Sequence, residues 1–287
     1  MKKILSVVLA VLMLAAVFTL TACGKKKVEP KEALTAIVDA AKKSTELKSV
    51  KGSLSAKAKV DADVEGQSVK GNVELSGNFT ADGLQTGDVG AELSLKLSPN
   101  LDNEQIKSII GNGPIEAKAV LVDGVAYVDL KTSSAMLGNM KFKTELPVGQ
   151  VLGMAGSISE KDIDTSEAEK YIKSSTVSGS GKKTYTLKFD AAKIKDVISG
   201  EAEVDIKSMD DPVVTVTVSK DGYIQAVKLQ IKNLNVDADG EGTVKGDVDF
   251  SIDLDNPGKD FKANTDVNPD DYDDIEDVLG GMFGMGF

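Results

Sequence analysis

The chain lacks several of the residue types on which most enzyme and metal sites depend. Its 287 residues include no histidine, no tryptophan, no arginine and only one cysteine. The absence of histidine excludes Ser-His-Asp and Cys-His catalysis, and with a single cysteine it also excludes zinc sites built from histidine and cysteine. The absence of arginine excludes the bidentate recognition of phosphate groups and guanine bases.

Aromatic residues are also scarce, at 5% of the chain. The chain contains 45 acidic and 34 basic residues. Carboxylate-only catalysis, as in glycoside hydrolysis, stays formally open, but sugar sites usually need aromatic platforms. The sequence has no glycine-rich phosphate loop followed by Lys-Ser/Thr, and a net charge of −11 repels nucleic acid. We therefore expect a protein that is not an enzyme, holds no cofactor or metal, and binds no nucleic acid.

Residues 1–22 have the composition of a secretory signal peptide. Two lysines follow the first methionine, residues 4–20 are almost wholly apolar, and small residues precede Cys23. A charged start, a short apolar run and small residues at a cleavage site are typical of export signals. The alternative is an uncleaved anchor helix, because the apolar run is near the lower limit for a membrane span.

The end of this segment, Leu-Thr-Ala-Cys at residues 20–23, resembles the bacterial lipobox. The resemblance implies that a diacylglyceryl group is added to the Cys23 thiol and that cleavage leaves Cys23 as the first residue. Two acyl chains anchor a protein stably, and the three lysines at 25–27 would attract anionic headgroups. We expect a protein held on the extracytoplasmic face of the cell membrane, with residues 23–30 as its tether.

Much of the remaining sequence alternates between apolar and polar residues. Period-two patterns cover 54–64, 69–79, 89–97 and 244–254, and they predict half-buried antiparallel strands. Further strands are predicted at 115–122, 125–130, 184–189, 201–207, 213–219 and 223–236. The last of these changes phase near Lys232 and Asn233, which predicts a β-bulge.

Helical spacing is rarer than strand alternation. It predicts a helix over residues 30–47 and shorter helices at 101–110, 164–174 and 191–198. Because about ten strands have only these helices to cover them, we predict an α+β fold. Its long antiparallel sheet is strongly curved, a half-open β-barrel wrapped around a few short helices. Residues 31–260 would form this single domain, and 261–287 an acidic, Gly/Met-rich disordered tail.

The inward positions of the first strands are unusually small. They either admit the closely packed helix at 30–47 or leave a cavity, and methionines near an opening would suit an adaptable apolar ligand. The predicted cavity-lining residues are Ala56, Ala58, Val73, Leu75, Ala91, Leu93, Met136, Met140 and Met154.

The lipobox, the tether, the N-terminal helix, the antiparallel strands and the hairpin at 213–224 together resemble the LolA-like and LppX/LprG-like lipoproteins. In that hairpin the stretch Ser-Lys-Asp-Gly-Tyr-Ile at 219–224 is similar to a strand-turn-strand in the C-terminal half of the family. The resemblance implies a half barrel whose hydrophobic cavity binds lipid or shields an acyl chain.

Two functions remain open. The first is a membrane-anchored holder of a lipid or other hydrophobic ligand. The second is a non-enzymatic interaction protein with a filled core, which docks a protein partner through its acidic face or tail. A calcium loop at Asp237, Asp239, Glu241 and Gly242 is disfavoured because Val248 replaces the twelfth-position glutamate. An outer-membrane barrel is disfavoured because aromatic girdles are missing.

Overall fold

The computed structural model describes residues 26–64, 67–134, 138–146, 165–202, 205–237 and 242–278. In chain order the strands are β1 (Lys26–Lys27), β2 (Val50–Val64), β3 (Gln67–Asp82), β4 (Gly90–Leu101), β5 (Ile115–Val122), β6 (Val125–Lys131), β7 (Met140–Glu145), β8 (Ile172–Ser178), β9 (Lys183–Phe189), β10 (Asp205–Ser208), β11 (Val213–Val218), β12 (Ile224–Asp237), β13 (Gly242–Leu254) and β14 (Asp273–Asp274). The helices are α1 (Pro30–Ser44), α2 (Glu104–Ile110), α3 (Thr165–Glu169) and α4 (Ala191–Ala202).

These strands form one curved sheet that does not close on itself. Its order is β1-β8-β9-β11-β12-β13-β2-β3-β4-β5-β6-β7-β14, and β10 pairs with the second part of β12. The described pairs are antiparallel, with β7 and β14 as the parallel exception. The predicted α+β fold, a strongly curved antiparallel half barrel with a few short helices, is therefore confirmed.

One face of the sheet is apolar across almost its whole width. We call it the inner face, because α1 packs on it, and we call the opposite face the outer face. The register places eight residues in one continuous row over eight strands: Leu187, Val214, Leu229, Phe250, Ala56, Leu75, Leu97 and Ile115. Because side chains alternate across a strand, this register puts every apolar position of the row on the same side.

The described core lies on only one half of this face. Helix α1 buries Ala33, Leu34 and Ala40 against Leu187 and its neighbours on β9, β11 and β12. A smaller cluster forms where α4 meets β10 and β12, around Ile206. Burying a leucine-sized side chain stabilises a fold by about 2 kcal/mol, so this half of the sheet dominates the described hydrophobic stabilisation.

Helix α1 begins and ends where its sequence favours it. Pro30 occupies the first position, where a missing N–H costs nothing, and lysines occupy the last turn, where the helix dipole favours positive charge. The helix ends at Ser44, three residues before the predicted end. The Gln85 side-chain amide donates to the carbonyl oxygens of Thr45, at 2.6 Å, and Leu47, at 3.1 Å, and so fixes the turn that follows.

The predicted bulge in β12 is confirmed: the register with β13 shifts between Ile231 and Leu234, and Asn233 has a φ of 52°. Strand β8 was missed, and residues 172–174 are strand where a helix was predicted. Ser175 disguises this strand, because it occupies a buried position where an apolar residue is expected. Its hydroxyl donates to the Val28 carbonyl oxygen at 2.5 Å, which satisfies the buried polar group.

The prediction of a disordered tail is wrong for residues 261–278. The backbone N–H of Phe261 donates to Ser49 Oγ at 2.7 Å, and that of Ala263 donates to Asp82 Oδ2 at 3.2 Å. Further along, Tyr272 packs edge-on against Tyr127, with ring centroids 5.3 Å apart. Acidic composition predicted disorder, but these contacts with the outer face and rim of the sheet order the segment. Residues 279–287 lie outside the described part.

Two short strands, β1 and β14, form the two edges of the sheet. Strand β1 pairs with β8 at one edge, and β14 pairs with β7 at the other. Both added strands are two residues long and fully charged, Lys-Lys and Asp-Asp. Short, charged edge strands discourage pairing with other molecules, so the arrangement keeps a long open sheet from associating edge to edge.

Candidate functional site: the open wall of the inner face

The inner face has a second half that the helices in the described ranges do not cover. We call it the open wall and define it by half-buried apolar residues that face inward on β2 to β7; Ala62 and Ala126, which also face inward, are buried. The wall residues are Leu54, Ala56, Ala58, Val60, Val73, Leu75, Phe79, Ala91, Leu93, Leu95, Leu97, Ala117, Ala119, Leu121, Val128, Leu130, Met140 and Phe142. Every one of them is half-buried, whereas Leu187, Val214 and Leu229 on the other half are 4% exposed or less.

The structure brings together the predicted cavity-lining residues that it describes. Ala56 lies opposite Leu75, and Ala58 lies opposite Val73, across the β2–β3 pair. On β4, Leu93 lies between Phe79 and Ala119, and Ala91 lies between Ala81 and Leu121. Met140 lies at the far side of the wall, opposite Leu130. Cys23, Met136 and Met154 lie outside the described residues, and a ligand-binding role for this set stays a prediction.

Helix α1 does not fill the alanine-rich wall, although its sequence offered that alternative. It packs on β8, β9, β11 and β12 instead. The glycines of the wall are partly filled by the sheet itself: a Cβ at position 77 would lie 2.6 Å from Leu95 Cδ2, and one at position 52 would lie 3.0 Å from Phe79 Cζ. Neighbouring side chains thus occupy the space over these glycines, and no helix among the described residues packs on them.

The open wall is electrically neutral, and the charges of the same strands lie behind it. Positions that face inward on β2 to β7 carry no charged side chain within the described ranges. On the outer face, ion pairs cross the strands: Lys57 with Glu74 at 3.0 Å, and Lys96 with Glu116 at 2.9 Å. The hydrogen bond and charge of Lys96 lower the pKa of the Glu116 carboxyl. The wall thus suits apolar ligands and disfavours charged ones.

The outer face carries a shallow hollow behind the wall. It has a volume of about 400 Å³ and is lined by Asn78, Ser94, Lys96 and Lys118, together with Leu54, Leu95 and Ala117 of the wall strands. Its charged and polar groups belong to the outer face, whereas the continuous apolar row lies on the inner face. We therefore place the candidate site on the inner face.

Two further observations concern metals and membranes. No group of three or more Cys, Asp or Glu side chains in the described ranges is arranged to hold a metal ion, and residues 238–241 of the candidate calcium loop are not among those described. None of the helices that the structure describes is both long enough and apolar enough to cross a membrane.

Comparison with known proteins gives matches in structure only. No protein-family model and no curated protein matches the chain. LprF from Mycobacterium bovis is similar at 15% identity with a TM-score of 0.37, over 85% of this chain and 99% of that chain. A β-barrel-like protein of the domain of unknown function DUF1849 from Brucella abortus is 13% identical, with a TM-score of 0.21, over 73% and 98% of the two chains. A DUF1329 family protein from Desulfovibrio piger is 9% identical, with a TM-score of 0.17, over 82% and 95%. These similarities assign the chain to no family and to no function.

Proposed function

We propose that the chain is a non-enzymatic lipoprotein, anchored to the extracytoplasmic face of the cell membrane through Cys23, that binds a lipid or another hydrophobic ligand on its open wall. One observation supports the proposal above all others. The inner face is apolar from β9 to β7, yet the described helices cover only its C-terminal half. Apolar surface left in water costs about 25 cal/mol per Å², and large uncovered apolar patches usually mark binding sites.

The shape and chemistry of the wall favour extended acyl chains over compact ligands. Strand β4 alone contains 12 residues, or about 40 Å along the strand. Its inward side chains are aliphatic, without a polar group that would fix one orientation of a ligand. Such a surface recognises length and apolarity, which an acyl chain offers.

Native mass spectrometry with lipid extraction tests the wall on residues 24–287, expressed without the anchor. Every element of the sheet begins at Lys26 or later, so this form retains all of them. We expect a stoichiometric bound lipid that is lost when Ala58 or Ala91 is changed to Phe, because the aromatic ring takes up space on the wall. Ser94→Phe is the matched control, since Ser94 is exposed on the outer face of β4.

A clean mass without ligand, unchanged by added lipid, would reject the ligand-binding proposal. It would leave an interaction protein whose inner face is closed by its own residues. Equal loss of lipid in Ser94→Phe and Ala58→Phe would place the lipid elsewhere than on the wall.

The anchor is tested separately in the full chain. We expect wild type in its bacterial host to partition with membranes and to incorporate labelled fatty acid. Cys23→Ala removes the thiol that would carry the diacylglyceryl group, so label incorporation should disappear. Labelling that persists in this variant would reject the anchor at Cys23.

A further inference from the structure

The first described residues fix which end of the sheet lies nearest to the anchor. Lys26 pairs with Val177 and Lys27 with Thr176, so the chain enters beside the last residues of β8. Val177 lies two residues before the turn at 179–182 that joins β8 to β9. Cys23 lies three residues before Lys26, a distance that an extended chain spans in at most about 11 Å. We call this end of the sheet the anchor-side rim.

Three other segments meet at the same rim. The turn at 219–223 belongs there, because Val218 pairs with Lys183 at the start of β9. The last turn of α1 returns to it, since Ser44 Oγ accepts a hydrogen bond from the Ile224 backbone N–H at 2.9 Å. Residues 255–259, which follow β13, complete the rim.

These segments enclose a cleft of about 790 Å³ that is rich in lysine. Four lysines line it, one from each segment: Lys43, Lys182, Lys220 and Lys259. Tyr223 lies between them, and Gly258 lies flat on its ring, where a Cβ would come within 2.8 Å of Tyr223 Cε2. The cleft is therefore shaped by specific packing.

The position of Lys43 is fixed from two sides. Its Nζ donates to the Asp221 carbonyl oxygen at 2.6 Å and lies 5.0 Å from the centroid of the Tyr223 ring. Both contacts leave its positive charge without a carboxylate partner. The ammonium group is thus held in place at the cleft.

The four cleft lysines differ from three paired lysines of the outer face. Lys57, Lys70 and Lys96 each pair with a carboxylate of a neighbouring strand at about 3 Å. None of the four cleft lysines forms an ion pair with any group that the structure describes. Asp221 is the sole acidic residue among the residues that line the cleft. The lining of the cleft thus carries four lysines against one aspartate, in a chain whose net charge is −11.

We propose that the cleft at the anchor-side rim binds the anionic headgroups of the membrane and so seats the domain upright on its surface. The short tether keeps the rim within about a Debye length of the headgroups, where each lysine gains about 1 kcal/mol from anionic lipid. Exposed Lys26, Lys27 and Lys183 extend the same positive surface. The proposal rests on the anchor at Cys23 but not on ligand binding by the open wall.

Vesicle flotation tests the proposal with residues 24–287, which carry no lipid. We expect binding to vesicles of equimolar phosphatidylglycerol and phosphatidylcholine, little binding to phosphatidylcholine alone, and weaker binding as salt rises. The double variant Lys182→Glu with Lys220→Glu should lower the partition coefficient by at least about twentyfold, since each lysine is worth about fivefold.

The matched control is Lys118→Glu with Lys245→Glu, two exposed lysines on β5 and β13 outside the cleft. It changes net charge equally and should reduce partition far less. Equal losses in the two double variants would show general charge attraction and overturn the proposal, as would equal binding of wild type to both vesicle types. Inorganic phosphate that shifts the Lys43 and Tyr223 NMR signals, without vesicle binding, would replace the membrane surface by a small-anion site. Circular dichroism verifies that each variant is folded.

Discussion

The two halves of the sheet share one apolar face but differ in how far its side chains are buried. On β9, β11 and β12 the inward residues are large aliphatic or aromatic side chains, and α1 packs on them. On β2 to β7 the inward residues include many alanines and glycines, and most of them are half-buried. The covered half forms a hydrophobic core, whereas the open half leaves apolar side chains partly exposed. A continuous strand register thus does not guarantee a continuous core, because burial also needs a covering layer.

The outer face has buried positions on both halves, and on the C-terminal half Thr186, Thr215 and Thr217 are 8% exposed or less. On the N-terminal half, the segment 261–274 covers part of the outer face, where Thr80 is 5% exposed and Tyr127 is 9% exposed. The chain therefore uses its C-terminal segment to cover the outer side of this half. The inner side keeps its aliphatic surface half-exposed, which fits a ligand-binding role for the wall.

The sharpest comparison of the halves substitutes one leucine in each. Leu187→Ala, at a position 1% exposed, should lower the free energy of unfolding by about 3 kcal/mol, because it leaves a cavity under α1. Leu93→Ala on the open wall should cost about 1 kcal/mol, since its side chain is half-exposed already. Urea denaturation monitored by circular dichroism measures both. An equal cost at the two positions would show that the wall is covered in solution.

A second prediction concerns an ionic cluster that belongs to the covered half alone. Asp211 accepts from Lys173 at 3.0 Å, from the Ala191 backbone N–H at 3.1 Å, and pairs with Lys188 at 3.1 Å. Burial by itself would raise the pKa of the Asp211 carboxyl, but these partners outweigh it and lower the pKa from 3.8 to about 2. Its stabilisation is therefore complete above pH 3.8 and is lost as the pH falls through about 2.

Asp211→Asn should accordingly cost about 1–2 kcal/mol at pH 7, and the difference from wild type should vanish near pH 2. Thermal unfolding measured across this pH range gives both values. Asp88→Asn, at an exposed position, is the control and should change stability by less than about 0.5 kcal/mol. A cost for Asp211→Asn that does not change with pH would contradict the assigned pKa.

The smallest expected effect lies at the edge of the open half. Tyr272→Ala removes the ring that packs on Tyr127 and that lies 5.3 Å from Lys141 Nζ. We expect faster hydrogen exchange at the backbone amides of β7, because β14 loses its nearest support, and unchanged exchange in β9 and β11. Uniform acceleration over the whole sheet would instead show that the two halves unfold as one unit.

The period-two patterns predicted most strands of both halves, because alternation records which face is wet and which is dry. The pattern failed at β8, where Ser175 is buried, and at β7, a short strand in a stretch broken by glycines and Pro147. The wall residues from Ala56 to Leu93 could be predicted as one inward face for the same reason. The lysine cleft could not, since Lys43, Lys182, Lys220 and Lys259 are far apart in the chain and only the turns bring them together.

The sequence by itself determined the strand alternation, the bulge in β12 and the uniform polarity of each face, because these depend on local chemistry with a fixed period. Only the tertiary structure decided which half of the inner face α1 covers, since both halves offer apolar side chains. The helix packs on the half with the larger side chains, where contact excludes water more completely. The tertiary structure also ordered the acidic residues 261–278, which carry no periodic signal, through hydrogen bonds to Ser49 and Asp82. Amino-acid composition reflects only the segment itself. Whether the segment is ordered also depends on the residues that it contacts in the fold, here Ser49 and Asp82.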